Sequence, residues 1–191
     1  VLTHSVFSKE MARQWYGSDL AESIQVLPLL RQMPARSARE AVRKRLGIQP
    51  EVKLVCSFGF IDPSKHSKLL LQAWAQSRLS GLAHSHLVFV GQNEGGVYGE
   101  SLIQSIEQSG RQNCVTITGY VDASVYADYL LAADVAVQLR SMSRAETSAA
   151  ALDCLAAGLP TIVNAHGAMA ELPTEVVWQL KDEFSVEDLS Q

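Results

Sequence analysis

Residues 135–163 read VAVQLRSMSRAETSAAALDCLAAGLPTIV. An apolar run (135–139), a polar loop, a helical stretch rich in small residues (147–157), Gly158-Leu159-Pro160 and a second apolar run (161–163) follow in order. Two short strands joined through a helix make a β-α-β unit, whose strands lie parallel. Neither run alternates apolar with polar residues, so both faces of each strand are buried by crossover helices. Working outward, the same grammar recurs: runs at 53–58, 86–90 and 115–118 are followed by helical patterns at 65–79, 98–109 and 124–133. The pattern predicts an α/β fold with a doubly wound parallel sheet.

Upstream of residue 51 the order is looser. Ser8 precedes an amphipathic stretch (11–16) closed by Gly17, which predicts a short helix, and 24–27 predicts a brief strand. Pro28 and Pro34 mark 28–36 as a connector. Ser37 and Glu40 form a capping box opening a helix that ends at Gly47. At the other end, the tail from Leu180 reads as a fraying helix.

The 191 residues suit one well-buried core. Hydrophobic residues make up 47% and charged ones 19%, with no apolar run long enough to cross a bilayer. A net charge of −4 excludes the basic stripe that wraps nucleic acid, so any phosphate recognition must be local. Cys56, Cys114 and Cys154 make no CxxC pair and sit in apolar runs, which reads as buried thiols in a reducing, cytoplasmic setting. The start shows no signal-peptide pattern and no initiator Met, and is read as the start of a fragment of something longer.

Open parallel sheets bind ligands beyond the carboxyl ends of their strands. In 59–66, Gly59 is followed by Lys65 at the start of a helix, where backbone N–H groups already favour an anion. By itself Lys65 is equally a solvated lysine. Gly119-Tyr120-Val121 gives a close-approach glycine and backbone groups able to read a base edge, or simply a turn before the Asp122 N-cap. The loop 140–148 is the richest, with Arg140, Ser141, Arg144, Glu146, Thr147 and Ser148 ahead of the small-residue helix. Its residues suit a diphosphate at a helix N-terminus and sugar hydroxyls on a carboxylate. Asp153 lies among apolar residues on that helix, so it faces solvent or holds a ligand. His166 and Glu171, in the loop after 161–163, read more simply as a structural histidine and a surface charge.

Taken in this order, the loops resemble the C-terminal domain of the family 4 glycosyltransferases, retaining enzymes of the GT-B fold, over most of the chain. The resemblance implies a Rossmann-like sheet flanked by helices that forms one half of a GT-B fold. Residues 1–36 would be an inter-domain strand, helix and connector, and 37–191 the donor nucleotide-sugar-binding domain. The N-terminal acceptor domain would be absent from this chain. Gly59 through Lys65 is similar to the family's phosphate loop, Gly119-Tyr120-Val121 to its nucleobase loop, and 155–160 to its helix end. Glu146 is similar to a glutamate contacting donor-sugar hydroxyls, and Asp153 to one contacting the ribose.

Three departures stand out. The family separates its two glutamates by seven residues, whereas six separate Glu146 from Asp153. Phe60 stands where an arginine is usual, and Arg140 is the candidate replacement cation for the diphosphate. His66 stands where glycine is common.

The implied reaction moves a sugar from a nucleoside diphosphate to an acceptor hydroxyl, in glycan or polysaccharide biosynthesis. Lys65, Arg140 and Glu146 would carry the catalytic role, the two cations and the helix from Thr147 stabilising the leaving diphosphate. Thr147 and Ser148 would join the donor site. The reading calls for no metal and no cofactor, a nucleoside-diphosphate sugar as substrate, a sugar or glycan acceptor through the missing domain, no nucleic acid, and membrane association only through the missing part. A catalytically inactive nucleotide-binding or scaffold module is the alternative, and a GT-B isomerase or hydrolase another. A dinucleotide-binding fold would need GxGxxG after the first strand, which 59–61 lacks.

Overall fold

The computed structural model describes residues 1–32 and 38–191. A small N-terminal unit comprises β1 (Leu2–Thr3), α1 (Val6–Tyr16), α2 (Ser18–Glu22) and β2 (Gln25–Val26), with β1 and β2 paired in parallel. Ser5, not Ser8, caps α1: its hydroxyl accepts from the Ser8 amide, and the helix begins five residues before the amphipathic stretch. α2 escapes sequence reading because five residues carry too little periodicity.

The main unit runs α3 (Arg39–Arg45), β3 (Lys53–Phe58), α4 (Ser67–Gln76), β4 (Ser85–Val90), α5 (Val97–Gln108), β5 (Val115–Ile117), α6 (Ala123–Ala132) and β6 (Val135–Gln138). It continues with α7 (Ala149–Ala156), β7 (Thr161–Asn164), β8 (Trp178–Leu180) and α8 (Val186–Ser190). Ser37 of the expected capping box lies outside the described residues. The tail from Leu180 is not a fraying helix: β8 adds an edge strand, and α8 begins at Val186 behind a capping box of Ser185 and Asp188.

All neighbouring strands of the six-stranded sheet are parallel, in the order β5-β4-β3-β6-β7-β8. Helices cover both faces, confirming the Rossmann-like doubly wound architecture. Val55, Leu87, Phe89, Val137 and Leu139 pack with Leu70, Leu71 and Trp74 of α4 and Leu102 of α5. Their chain neighbours Leu54, Cys56, Phe58, Val88, Val90 and Ala136 face Val42 of α3, Leu130 of α6 and Cys154 of α7. Successive strand residues thus enter opposite cores, the physical cause of unbroken apolar runs. Each such large side chain contributes roughly 1.5–3 kcal/mol by leaving water.

Strand order reverses between β3 and β6, so the loops at 59–66 and 139–148 open on either side of the topological switch point. The ends of β3 and β4 also meet closely there. A Cβ on Gly91 would lie 2.1 Å from the Gly59 carbonyl oxygen, which keeps position 91 without a side chain.

Candidate anion site at the strand switch point

Asp62 and Pro63 start a single 3-10 turn ending at Lys65, with the Asp62 carboxylate accepting from the Ser64 amide at 2.7 Å. His66 then adopts a left-handed backbone (φ 54) before α4 begins at Ser67, so Lys65 precedes the helix instead of opening it. Sequence reading put Lys65 in the helix's first turn; the turn defined by Asp62-Pro63 shifts it outward. The Lys65 ammonium sits above Gly59, where a Cβ would come within 3.8 Å of Nζ. A larger side chain at 59 would intrude on the space that the ammonium uses.

From β6 comes Arg140, of which only 8% is exposed. Its backbone amide donates to Asn164 Oδ1 at 2.8 Å, fixing the strand end. Of the five guanidinium N–H groups, one donates to the Leu139 carbonyl at 2.8 Å and one to Ser148 Oγ at 3.0 Å, and three find no partner among the described residues. Ser148 also caps α7 through the Ala151 amide, so the cation and the helix N-terminus share one anchor.

Lys65, Arg140, Glu146, Thr147 and Ser148 line one cavity of about 520 Å³, with Ser64 and Ala149 beside them. With Arg144, which lines it too, six of the residues singled out in the sequence therefore converge. Among the described residues, neither Lys65 nor Arg140 forms a salt bridge. Burial first, and repulsion from Arg140 second, lower the Lys65 pKa to about 8 against a partial pull from Asp62 and Glu146. Burial likewise lowers the Arg140 pKa, with Glu146 and Asp62 opposing. Thr147 lines the same cavity, and its buried hydroxyl has no hydrogen-bond partner among the described residues. Two partly desolvated cations, a buried hydroxyl and the start of α7 thus face one cavity, an arrangement whose chemistry suits an anion.

Glu146 is held in place by its own loop. Its Oε2 accepts from the Arg144 amide at 2.6 Å, around Ala145, a left-handed residue (φ 72). The Ala145 carbonyl accepts from the Ser8 hydroxyl of α1. Glu171 is no idle surface charge: it accepts from the Val6 amide at 3.0 Å and from that of Phe7, capping α1.

The other residues singled out lie elsewhere. Ser141 turns to a second cavity of about 370 Å³, where Arg140 meets His66, His166 and Asp182. Gly119, Tyr120 and Val121 follow β5, two strands from β3, with the Tyr120 amide donating to Gln92 Oε1 at 3.2 Å. Asp153 lies beyond the cavity and is engaged by Arg31 and Tyr126, neither of which the sequence flagged. A larger, mostly apolar cavity of about 620 Å³ lies along β7, β8 and α8, away from these cations. No group of three or more metal-ligating side chains forms among the described residues, and no helix in them is long and apolar enough to cross a membrane.

The fold has many solved counterparts. HepE of Anabaena, crystallised with UDP and glucose, superposes with a TM-score of 0.85 at 19% identity, covering 100% of this chain and 51% of HepE. WaaG, a glycosyltransferase of lipopolysaccharide biosynthesis, gives 0.81 at 20% identity, covering 99% and 51%. The C-terminal domain of LpcC from Francisella tularensis gives 0.69 at 18%, covering 81% and 80%. This chain therefore spans about half the length of HepE and WaaG. No curated protein sequence matches it closely enough to add to these likenesses. The family "Glycosyl transferases group 1" matches residues 38–190, most of the chain and all of the anion site, and the chain belongs to that family.

Proposed function

We propose that the cavity at the switch point holds the diphosphate of a nucleoside-diphosphate sugar. The chain is then the donor-binding half of a retaining, family 4 type glycosyltransferase acting in cytoplasmic glycan or polysaccharide synthesis. The observation that carries this reading is the buried Arg140 beside the half-buried Lys65 at the start of α7, neither in a salt bridge among the described residues. The family membership and the UDP and UDP-glucose bound by HepE support it.

In this reading Lys65 and Arg140 neutralise the diphosphate as it leaves, and Thr147, Ser148 and the first amides of α7 donate to its oxygens. Glu146, steadied by the Arg144 amide, accepts from hydroxyls of the transferred sugar. Asp153 takes the ribose and the loop 119–121 the base. No metal or further cofactor is called for. An acceptor site would belong to a second GT-B half, joined through residues 1–36, so this half alone should bind the donor and hardly turn it over.

Calorimetric titration with UDP, GDP and ADP tests the reading. One of the three should bind, and Lys65→Ala should weaken it by about thirtyfold, the worth of a charge-assisted contact. Failure of all three to bind the folded protein would discard the proposal.

The pH dependence follows from the lysine. The Lys65 ammonium must be charged to hold phosphate, and its pKa lies at about 8. Affinity is therefore full below that value and declines above it, by up to about tenfold per pH unit, until the bound-state pKa is passed. Titrations between pH 6.5 and 9.5 should show this decline in the wild type and its absence in Lys65→Met.

A further inference from the structure

We propose that Arg31 is a latch on the nucleoside end of the site, filling the Asp153 carboxylate so that a ribose can take it only by expelling the arginine. This rests on the donor-site reading above. Ala149 and Ala150, at the start of α7, line the anion cavity. Asp153 follows them by four and three residues, so it occupies the next turn of the same helix face, about 5 Å further along. Helical side chains lean toward the N-terminus, which tips Asp153 back toward the cavity. A diphosphate at the end of α7 therefore brings its ribose to this carboxylate.

The carboxylate is already taken. Arg31 Nε donates to Oδ1 at 2.6 Å and its NH2 group to Oδ2 at 3.0 Å, a two-pronged ion pair. The Tyr126 hydroxyl donates to Oδ2 at 3.2 Å. A carboxylate offers about four lone-pair positions, two on each oxygen. Oδ2 is thus full and Oδ1 has one position left. A ribose diol that donates both hydroxyls, one to each oxygen, finds no room on Oδ2 while Arg31 and Tyr126 both stay.

Neither occupant leaves by changing its charge. The bond to Asp153 raises the Arg31 pKa, and burial, followed by the Asp153 charge, pushes the Tyr126 phenol far above its ordinary range. The Asp153 side chain is 13% exposed and that of Arg31 34%, so the arginine is the partner that can swing out into water. It belongs to the segment after β2, where the Leu27 amide still pairs with the Thr3 carbonyl at 2.8 Å. Filling the nucleoside end would thus release a contact that ties the N-terminal unit's connector to α7.

The test titrates the whole chain, as wild type, Arg31→Ala and Tyr126→Phe. The probes are whichever of UDP, GDP and ADP binds tightest and its 2′,3′-dideoxy analogue, with thermal unfolding run alongside. Arg31→Ala should bind the ribonucleotide about fivefold tighter, since the ion pair no longer has to be broken. The dideoxy analogue should gain nothing, because it makes no demand on Asp153, and any general loss of positive charge will appear there. Tyr126→Phe, which opens one position on Oδ2 with Arg31 in place, should recover part of the gain. Ribonucleotide affinity that is unchanged or weaker in a folded Arg31→Ala overturns the latch and leaves the donor site standing. An absence of binding by every variant removes both.

Discussion

Arg140→Ala should weaken nucleoside diphosphate binding about a hundredfold, close to 3 kcal/mol, with the protein still folded. The size follows from what the guanidinium does in the free protein. It is nearly sealed from water, spends two N–H groups on Leu139 and Ser148, and meets no carboxylate at salt-bridge distance among the described residues. An anion entering this cavity gains a desolvated charge whose burial has already been met by the fold, which is how preorganised sites outperform surface lysines. Arg140→Lys keeps the charge but loses the fork, and should fall between the two. Calorimetry with a parallel thermal melt decides the matter: a folded Arg140→Ala of undiminished affinity would reduce the arginine to an anchor for Ser148. Such a result would leave Lys65 and the α7 amides as the phosphate contacts.

Arg43→Ala should cost about 3 kcal/mol of folding stability, lowering the melting temperature by roughly 6–12 °C for a chain of this size. Arg43 is 6% exposed and ties α3 to the stretches 50–52 and 132–134. Its Nε donates to the Ala132 carbonyl at 3.0 Å, NH1 to the Pro50 and Val52 carbonyls at 3.0 Å, and NH2 to Asp134 at 2.9 Å. The same carboxylate accepts from the Leu54 amide at 2.8 Å, binding α3 and α6 to the first strand of the sheet. Burial alone would push the Asp134 pKa up, yet the Leu54 amide and the arginines hold it below its ordinary value. Removing the guanidinium takes its buried ion-pair partner from that carboxylate and the Arg43 donors from the Pro50, Val52 and Ala132 carbonyls together. Denaturant titration measures the loss, and a variant within 1 kcal/mol of wild type (about 1 kcal/mol being a typical surface pair at most) would show that Arg39 and water replace the network.

The strands that were legible in the sequence are those whose two faces both enter a core. Leu54, Cys56 and Phe58 face one side while Val55 faces the other, so β3 reads as an apolar run without any knowledge of its neighbours. β8 escaped because Trp178, at its start, is 71% exposed on the edge of the sheet and Gln179 interrupts the run. Among site residues, Lys65, Arg140, Glu146, Thr147 and Ser148 could be named because loops after strands of a parallel sheet converge wherever the order reverses. Asp153 could be named, but not what holds it. Arg31 lies 122 residues away in a segment with no periodicity, and only the folded chain brings the two together. Ser5 and Ser8 illustrate a finer limit. Both can cap a helix, and their roles separate only in the fold, where Ser5 has the extended backbone of a cap while Ser8 lies inside α1 and its hydroxyl donates to the Ala145 carbonyl.

The pairing of β3 with β6 carries one more consequence. It matches Val55 with Val135 and Cys56 with Ala136, stretches of chain divided by two complete strand-helix units. Closing so long a loop is entropically slow and comes late in assembly. Lys65 and Arg140 become neighbours only when it closes, so a half-assembled chain has no site to offer. A nucleotide bound there, as proposed, would act as a ratchet on the finished fold alone: at a hundred times its dissociation constant it would withdraw about 2.7 kcal/mol of freedom to reopen.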